Sequence, residues 1–181
     1  MSSRRTMTLT VNDTARSVEV ASNETLLETL RRLGAVEVKC GCEKGDCGAC
    51  AVLLDGMAVD SCLTLTGTVG DRAVTTVKGF GGPDDPHPLQ TAFVDRGAAQ
   101  CGYCTPGMII AAQSMLTNDT ATPDEADIRL ALSGNLSRCT GYTKIYDAVL
   151  DGARAMREAE AAPAEGTRSK TVVAPRMETV K

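Results

Sequence analysis

The sequence predicts an α+β chain in which a strand-rich first part, crossed by one helix, is followed by an all-helical second part. Three patterns predict it: apolar and polar residues alternate through most of the first 80 positions, apolar residues recur at helical spacing after them, and GFGGPDDP at 79–86 breaks both periods. On this division 1–80 is one domain, 81–159 a four-helix domain, and 160–181 an extended tail.

The elements follow in order. Thr6 to Val11 and Arg16 to Val20 alternate around Asn12-Asp13, a pair that tolerates the left-handed backbone of a tight turn, so a β-hairpin is expected. Leu26, Leu27, Leu30 and Leu33 lie on one face of a helix over 23–33, with Ser22 or Asn23 as N-cap and Gly34 past its end. Strands are expected at 51–54, 57–62 and 73–77, the first two joined by Asp55-Gly56. Four helices follow, at 88–96, 105–116, 123–132 and 145–158. The third begins at Thr122-Pro123 with Glu125 behind it, in capping-box order. Short connections between short helices suggest a small bundle. From Glu160 the chain is rich in Ala, Glu, Lys and Pro and offers no apolar face, so it is expected to be disordered alone and to lie across a partner.

Composition narrows the function. The net charge is -4, with no Trp, three Tyr and two Phe. No basic stripe or stacking platform exists for nucleic acid. Arg4-Arg5 runs into an alternating segment rather than an apolar one, and no window approaches a membrane span. Eight cysteines without an export signal suit a reducing compartment, where clustered thiols bind metal more often than they pair, and the cytoplasm is the expected location.

Cys42, Cys47, Cys50 and Cys62 are spaced C-x4-C-x2-C-x11-C, and the first three match the plant-type [2Fe-2S] pattern. Thiolates suit iron because soft sulfur binds both of its oxidation states. A cluster held by four thiolates is an anion, and Gly41, Gly45 and Gly48 between the ligands allow the loop to aim backbone N–H groups at sulfur. A four-cysteine zinc site would more often show two C-x2-C knuckles, and only Cys47 and Cys50 form one here. Cys40 falls outside the spacing and reads as a spare or buried thiol.

Cys101 and Cys104 form a second C-x2-C directly before a helix, and GNLSRCTGY at 134–142 brings back Cys139. Alone, CGYC fits a thioredoxin-like redox pair, which would need a βαβ setting that this helical half does not offer.

Together GCEKGDCGAC, the LDG turn with SCL around Cys62, QCGYCTPGM and GNLSRCTGY resemble the iron–sulfur subunits of the molybdenum hydroxylases, the family of xanthine, aldehyde, carbon monoxide and N-heterocycle dehydrogenases. The similarity runs over roughly residues 6–156. It implies a ferredoxin-like β-grasp domain followed by an all-α four-helix domain, each with a [2Fe-2S] cluster. It implies that Cys42, Cys47, Cys50 and Cys62 hold the cluster nearer FAD on a medium partner subunit. Cys101, Cys104 and Cys139 would hold the one nearer a molybdopterin-type molybdenum cofactor on a large subunit, with Gln100 and Cys139 against the pterin. The assembly implied is a heterotrimer or its dimer, relaying electrons from molybdenum through both clusters to FAD. The family closes its second site with C-x-C, whereas this chain has Ser137-Arg138-Cys139. Ser137 is the candidate fourth ligand, its hydroxyl acidified by iron, and a differently ligated site is the alternative.

His87, the single imidazole, reads as helix-start surface, and Gly79 to Gly82 as linker rather than phosphate loop. No Ser-His-Asp set, paired carboxylates or nucleotide fingerprint is present, so no substrate site is expected on the chain itself. Two rival functions are a free-standing two-cluster ferredoxin, which would not co-purify with larger subunits, and a zinc-stabilised interaction module, which would be colourless.

Overall fold

The computed structural model describes residues 4–161. Most of the expected tail, 162–181, lies outside the described residues. Strands β1 (Arg4–Val11) and β2 (Thr14–Ala21) pair antiparallel, with Val11 opposite Thr14. Asn12 and Asp13 between them have φ of 48° and 62°, the primed-turn geometry that matches strand twist. Alternation sends Leu9, Val11, Val18 and Val20 inward.

Helix α1 (Leu26–Arg32) lies on these residues through Leu26, Leu27 and Leu30. It starts later than Ser22-Asn23 suggested. Thr25 Oγ1 accepts from the Glu28 N–H at 3.2 Å and Glu28 Oε2 accepts from the Thr25 N–H at 2.8 Å, a reciprocal cap.

Strands β3 (Ala51–Leu54), β4 (Met57–Asp60) and β5 (Ala73–Thr75) complete a five-stranded mixed sheet of order β2-β1-β5-β3-β4, in which only β1 and β5 run parallel. Strand β4 stops two residues short of Cys62. The Ser61 hydroxyl donates to the Cys50 carbonyl at 2.7 Å and the Leu63 N–H to the Asp60 carbonyl at 3.0 Å, turning the chain back toward Cys50.

Helices α2 (Pro88–Asp95), α3 (Thr105–Asn118), α4 (Glu125–Ala131) and α5 (Thr143–Ala161) enclose a second core of Leu89, Phe93, Met108, Ile128, Ile145 and Val149. His87 is not simple surface. It is half-buried against Phe80, and its Nδ1 accepts from the Leu89 N–H at 3.2 Å, capping α2. Helix α4 is capped by Asp124, not Thr122. Asp124 Oδ1 accepts from the Asp127 N–H at 2.9 Å, and Asp127 Oδ2 accepts from the Asp124 N–H at 3.0 Å. A carboxylate accepts more strongly than a hydroxyl and also meets the positive end of the helix.

The two cores meet where α3 crosses β3 and β4. Ser114 Oγ accepts from the Ala58 N–H at 3.0 Å, and Asn118 Nδ2 donates to the Gly56 carbonyl at 2.9 Å. At the start of α3, Gly107 lies so close to the Gly48 carbonyl that any side chain there would strike it. Among the described residues, no helix is long and apolar enough to cross a membrane.

Candidate metal centres

The first cysteine loop, 40–50, lies between α1 and β3, so that its chain ends are held by the sheet core. Two thiol pairs form in it. Cys42 interacts with Cys47, and Cys50 with Cys62, the latter brought in by the turn after β4, while the Cys50 thiol donates to Asp60 Oδ1 at 3.7 Å. Backbone N–H groups face the sulfurs. Lys44 and Asp46 donate to Cys42 Sγ at 3.4 and 3.3 Å, and these two bonds draw its thiol down to about 7. Burial acts the other way on the inner pair partners. It raises the Cys47 thiol and pushes Cys50 up to about 12, although N–H groups of Ala49 and Cys62 oppose it.

Buried thiols that resist ionisation alone, beside N–H groups that favour thiolate, fit a bound cation that takes their protons. The pairing fits two irons, because a [2Fe-2S] cluster needs two protein donors on each. Gly41 contributes differently from the role its sequence suggested. A Cβ there would stand 2.7 Å from Cys47 Sγ, so it leaves room for sulfur rather than supplying an unusual backbone angle. Gly45 and Gly48, at φ of 78° and 66°, do supply that angle. Cys40 is half-buried and donates its thiol proton to Glu43 Oε1 at 2.9 Å, which raises it.

The second group forms from the turn before α3 and the loop between α4 and α5. Gln100, Cys101, Tyr103, Cys104, Ser137 and Cys139 share one cavity of about 150 Å³. The Tyr103 N–H draws the Cys101 thiol down toward thiolate, and Cys139 Sγ, donating to Cys101 Sγ at 3.6 Å, draws it further. Gln100, Cys101 and Cys139 are exposed, and Cys104 is half-buried. Ser137 Oγ lies 2.8 Å from Thr140 Oγ1. Thr105 Oγ1, one residue beyond Cys104, is buried without a protein partner. A soft donor set gathered on one cavity fits a cluster here too. Among the described residues no three His, Cys, Asp or Glu side chains surround a single point.

Sequence reasoning missed the residues that tie the two loops together. Leu136 N–H donates to the Cys47 carbonyl at 3.0 Å, Asn135 Nδ2 to the Gly48 carbonyl at 3.2 Å, and Tyr103 Oη to the Cys40 carbonyl at 2.5 Å. The only local signal was the Gly134-Asn135 turn pair, which does not name its distant partner.

A sheet core and a helical core, each presenting one cysteine-rich loop to the other, define a two-site electron-transfer protein. Residues 9–74 match the family described as 2Fe-2S iron-sulfur cluster binding domain, and residues 76–150 match the [2Fe-2S] binding domain. The chain is 44% identical over 145 residues to the nicotinate dehydrogenase small FeS subunit of Eubacterium barkeri, covering 80% of this chain and 92% of that one. It is 44% identical over 149 residues to the aldehyde oxidoreductase of Megalodesulfovibrio gigas, covering 80% of this chain but only 16% of that longer protein. A chain of the crystal structure of quinoline 2-oxidoreductase from Pseudomonas putida 86 superimposes with a TM-score of 0.81 at 37% identity, over 87% of this chain and 99% of that one. The chain belongs to the iron–sulfur subunits of the molybdenum hydroxylases. It carries two [2Fe-2S] clusters and is the electron-transfer subunit of an oxidoreductase, so neither the free-standing ferredoxin nor the zinc module is favoured.

Proposed function

We propose that Cys42, Cys47, Cys50 and Cys62 ligate one cluster, and that Cys101, Cys104, Cys139 and Ser137 ligate the other. The observation that carries this reading is the pairing of thiols in loops lined by backbone N–H donors, with the two loops hydrogen-bonded to each other. Each cluster, when bound, supplies a one-electron store. The chain's own residues hold the sulfurs at fixed spacing, lend N–H dipoles to the added charge, and keep Cys50 and Cys62 away from water. The contact of Cys139 with Cys101 supports one iron held by that pair, with Cys104 and Ser137 proposed for the other.

The molybdenum cofactor and FAD belong in this reading to a large and a medium partner subunit, in a heterotrimer or its dimer. Gln100 and Cys139, both exposed at the mouth of the second cavity, would meet the pterin. The Cys42 loop, with exposed Leu63 beside Gly45, would face the flavin subunit. The division into a β-grasp domain over 1–80 and a four-helix domain over 81–159 is supported by the two separate cores. A cytoplasmic location is supported by eight free cysteines, which suit a reducing compartment.

The test is metal and sulfide analysis of the purified complex. About four irons and about four acid-labile sulfides per chain are expected, resolving into two distinct paramagnetic signals on reduction. Stoichiometric zinc without labile sulfide would overturn the reading.

A further inference from the structure

Tyr142 combines an unusual backbone with an unusual position. Its φ is 68°, a left-handed conformation that bulky side chains rarely adopt and that persists only where the surroundings over-determine it. Its ring packs on the helical core and stacks on Tyr146, with centroids 6.0 Å apart. The phenol oxygen reaches back along the chain to two backbone groups at once. It accepts from the Ser137 N–H at 2.8 Å and donates to the Asn135 carbonyl at 3.2 Å. Thr140 Oγ1 closes the same turn, accepting from the Tyr142 N–H at 3.3 Å while it contacts Ser137 Oγ.

The segment so gripped is the one that also reaches the first cysteine loop. Asn135, only 5% exposed, donates to the Gly48 carbonyl, and Leu136 donates to the Cys47 carbonyl. A strap of three residues is therefore held by the first loop at 135 and 136, and by one phenol oxygen at 135 and 137. Cys139 follows two residues later.

We propose that Tyr142 is a positioning residue of the second cysteine site. Its hydroxyl fixes where Ser137 and Cys139 stand relative to Cys101 and Cys104, and the left-handed backbone at 142 is what aims the ring to do so. The proposal rests on the reading of that site as a cluster site.

Tyr142→Phe keeps the ring and its stacking and removes only the oxygen. In the purified complex, the cluster of the second site should be lost to a chelator roughly thirtyfold faster, the cost expected of losing two net hydrogen bonds. Its paramagnetic signal and midpoint potential should shift, while those of the first cluster stay in place. A purely structural role would lower the melting temperature without moving the signal or the potential of either cluster. Unchanged signal, potential and loss rate in Tyr142→Phe would overturn the proposal. Should the variant fail to assemble, amide exchange in the wild-type complex decides: a Ser137 N–H that exchanges as fast as an open loop would overturn it, and slow exchange upholds it. A wild-type complex with no iron at the second site would overturn the functional reading itself, before any substitution is made.

Discussion

Gly48 lies where the two cysteine loops meet, and Gly48→Ala measures how much that contact contributes. Its φ of 66° makes any side chain unfavourable by about 1–2 kcal/mol. A Cβ would also stand 2.7 Å from the Gly134 carbonyl oxygen and 2.9 Å from Asn135 Cγ, distances that backbone and a buried amide cannot accept. The strap must then lift, giving up the Asn135 bond to Gly48, at about 1–3 kcal/mol for a buried amide left unpaired, and the bond of exposed Leu136 to Cys47, at about 1 kcal/mol. The sum is about 3–6 kcal/mol. Gly70→Ala is the matched control, because Gly70 has φ of 62° with nothing within 4 Å, so only the backbone cost of about 1–2 kcal/mol applies. Thermal unfolding of the two variants should differ by at least about 2 kcal/mol, or roughly 4–8 °C for a chain of this length. Equal melting temperatures would refute the reasoning, since the backbone angle alone would then account for both.

Three further outcomes are expected. Cys47→Ala should remove the first cluster, halving the iron per chain to about two while the second paramagnetic signal persists; flavin reduction by substrate at the wild-type rate would show that electrons bypass this site. Ser137→Cys should raise the potential of the second cluster, because a thiolate donates less charge to ferric iron than an alkoxide does. Ser137→Ala should make the same cluster labile, and wild-type cluster content, potential and spectrum in that variant would mean that some other group completes the site. His87 has a burial-lowered pKa and caps α2 only as the neutral imidazole. A group held neutral in the fold takes up a proton on unfolding, so its contribution is complete above its ordinary value of 6.5 and is lost as pH falls below it. His87→Asn, which retains a capping carbonyl but does not titrate, should flatten the stability curve between about pH 7 and pH 5.5; parallel curves for the two proteins would exclude the imidazole as the cause.

The ties between the loops bear on how the subunit works. Electron transfer demands that donor and acceptor keep a fixed separation while partners dock on either side. Here the strap at 135–137, the Tyr103 hydroxyl and the contact of Gly107 with Gly48 all join the two loops directly. Their relative placement therefore does not depend on the 79–86 linker alone. That linker is itself pinned, since Gln90 Nε2 donates to the carbonyls of Val77 and Gly81 at 3.1 and 3.4 Å.

Much of this was written locally in the chain. The hairpin at Asn12-Asp13, the β3–β4 turn at Asp55-Gly56 and all four later helices follow from side-chain periodicity and from residues that tolerate a left-handed turn, properties that act over a few positions. The spacing of Cys42, Cys47 and Cys50 suggested iron–sulfur chemistry for the same reason, because the plant-type pattern is confined to one short loop. Helix starts were legible only to within a few residues: Thr25, Asp124 and His87 each won by a side-chain geometry that competing residues nearby could also have offered. Tertiary structure alone decided what joins distant segments. Which thiol of each expected set stands beside which, Cys50 by Cys62 and Cys101 by Cys139, and the bonds from Asn135 and Leu136 to a loop almost ninety positions earlier depend on how two cores pack, and no local period encodes those partners.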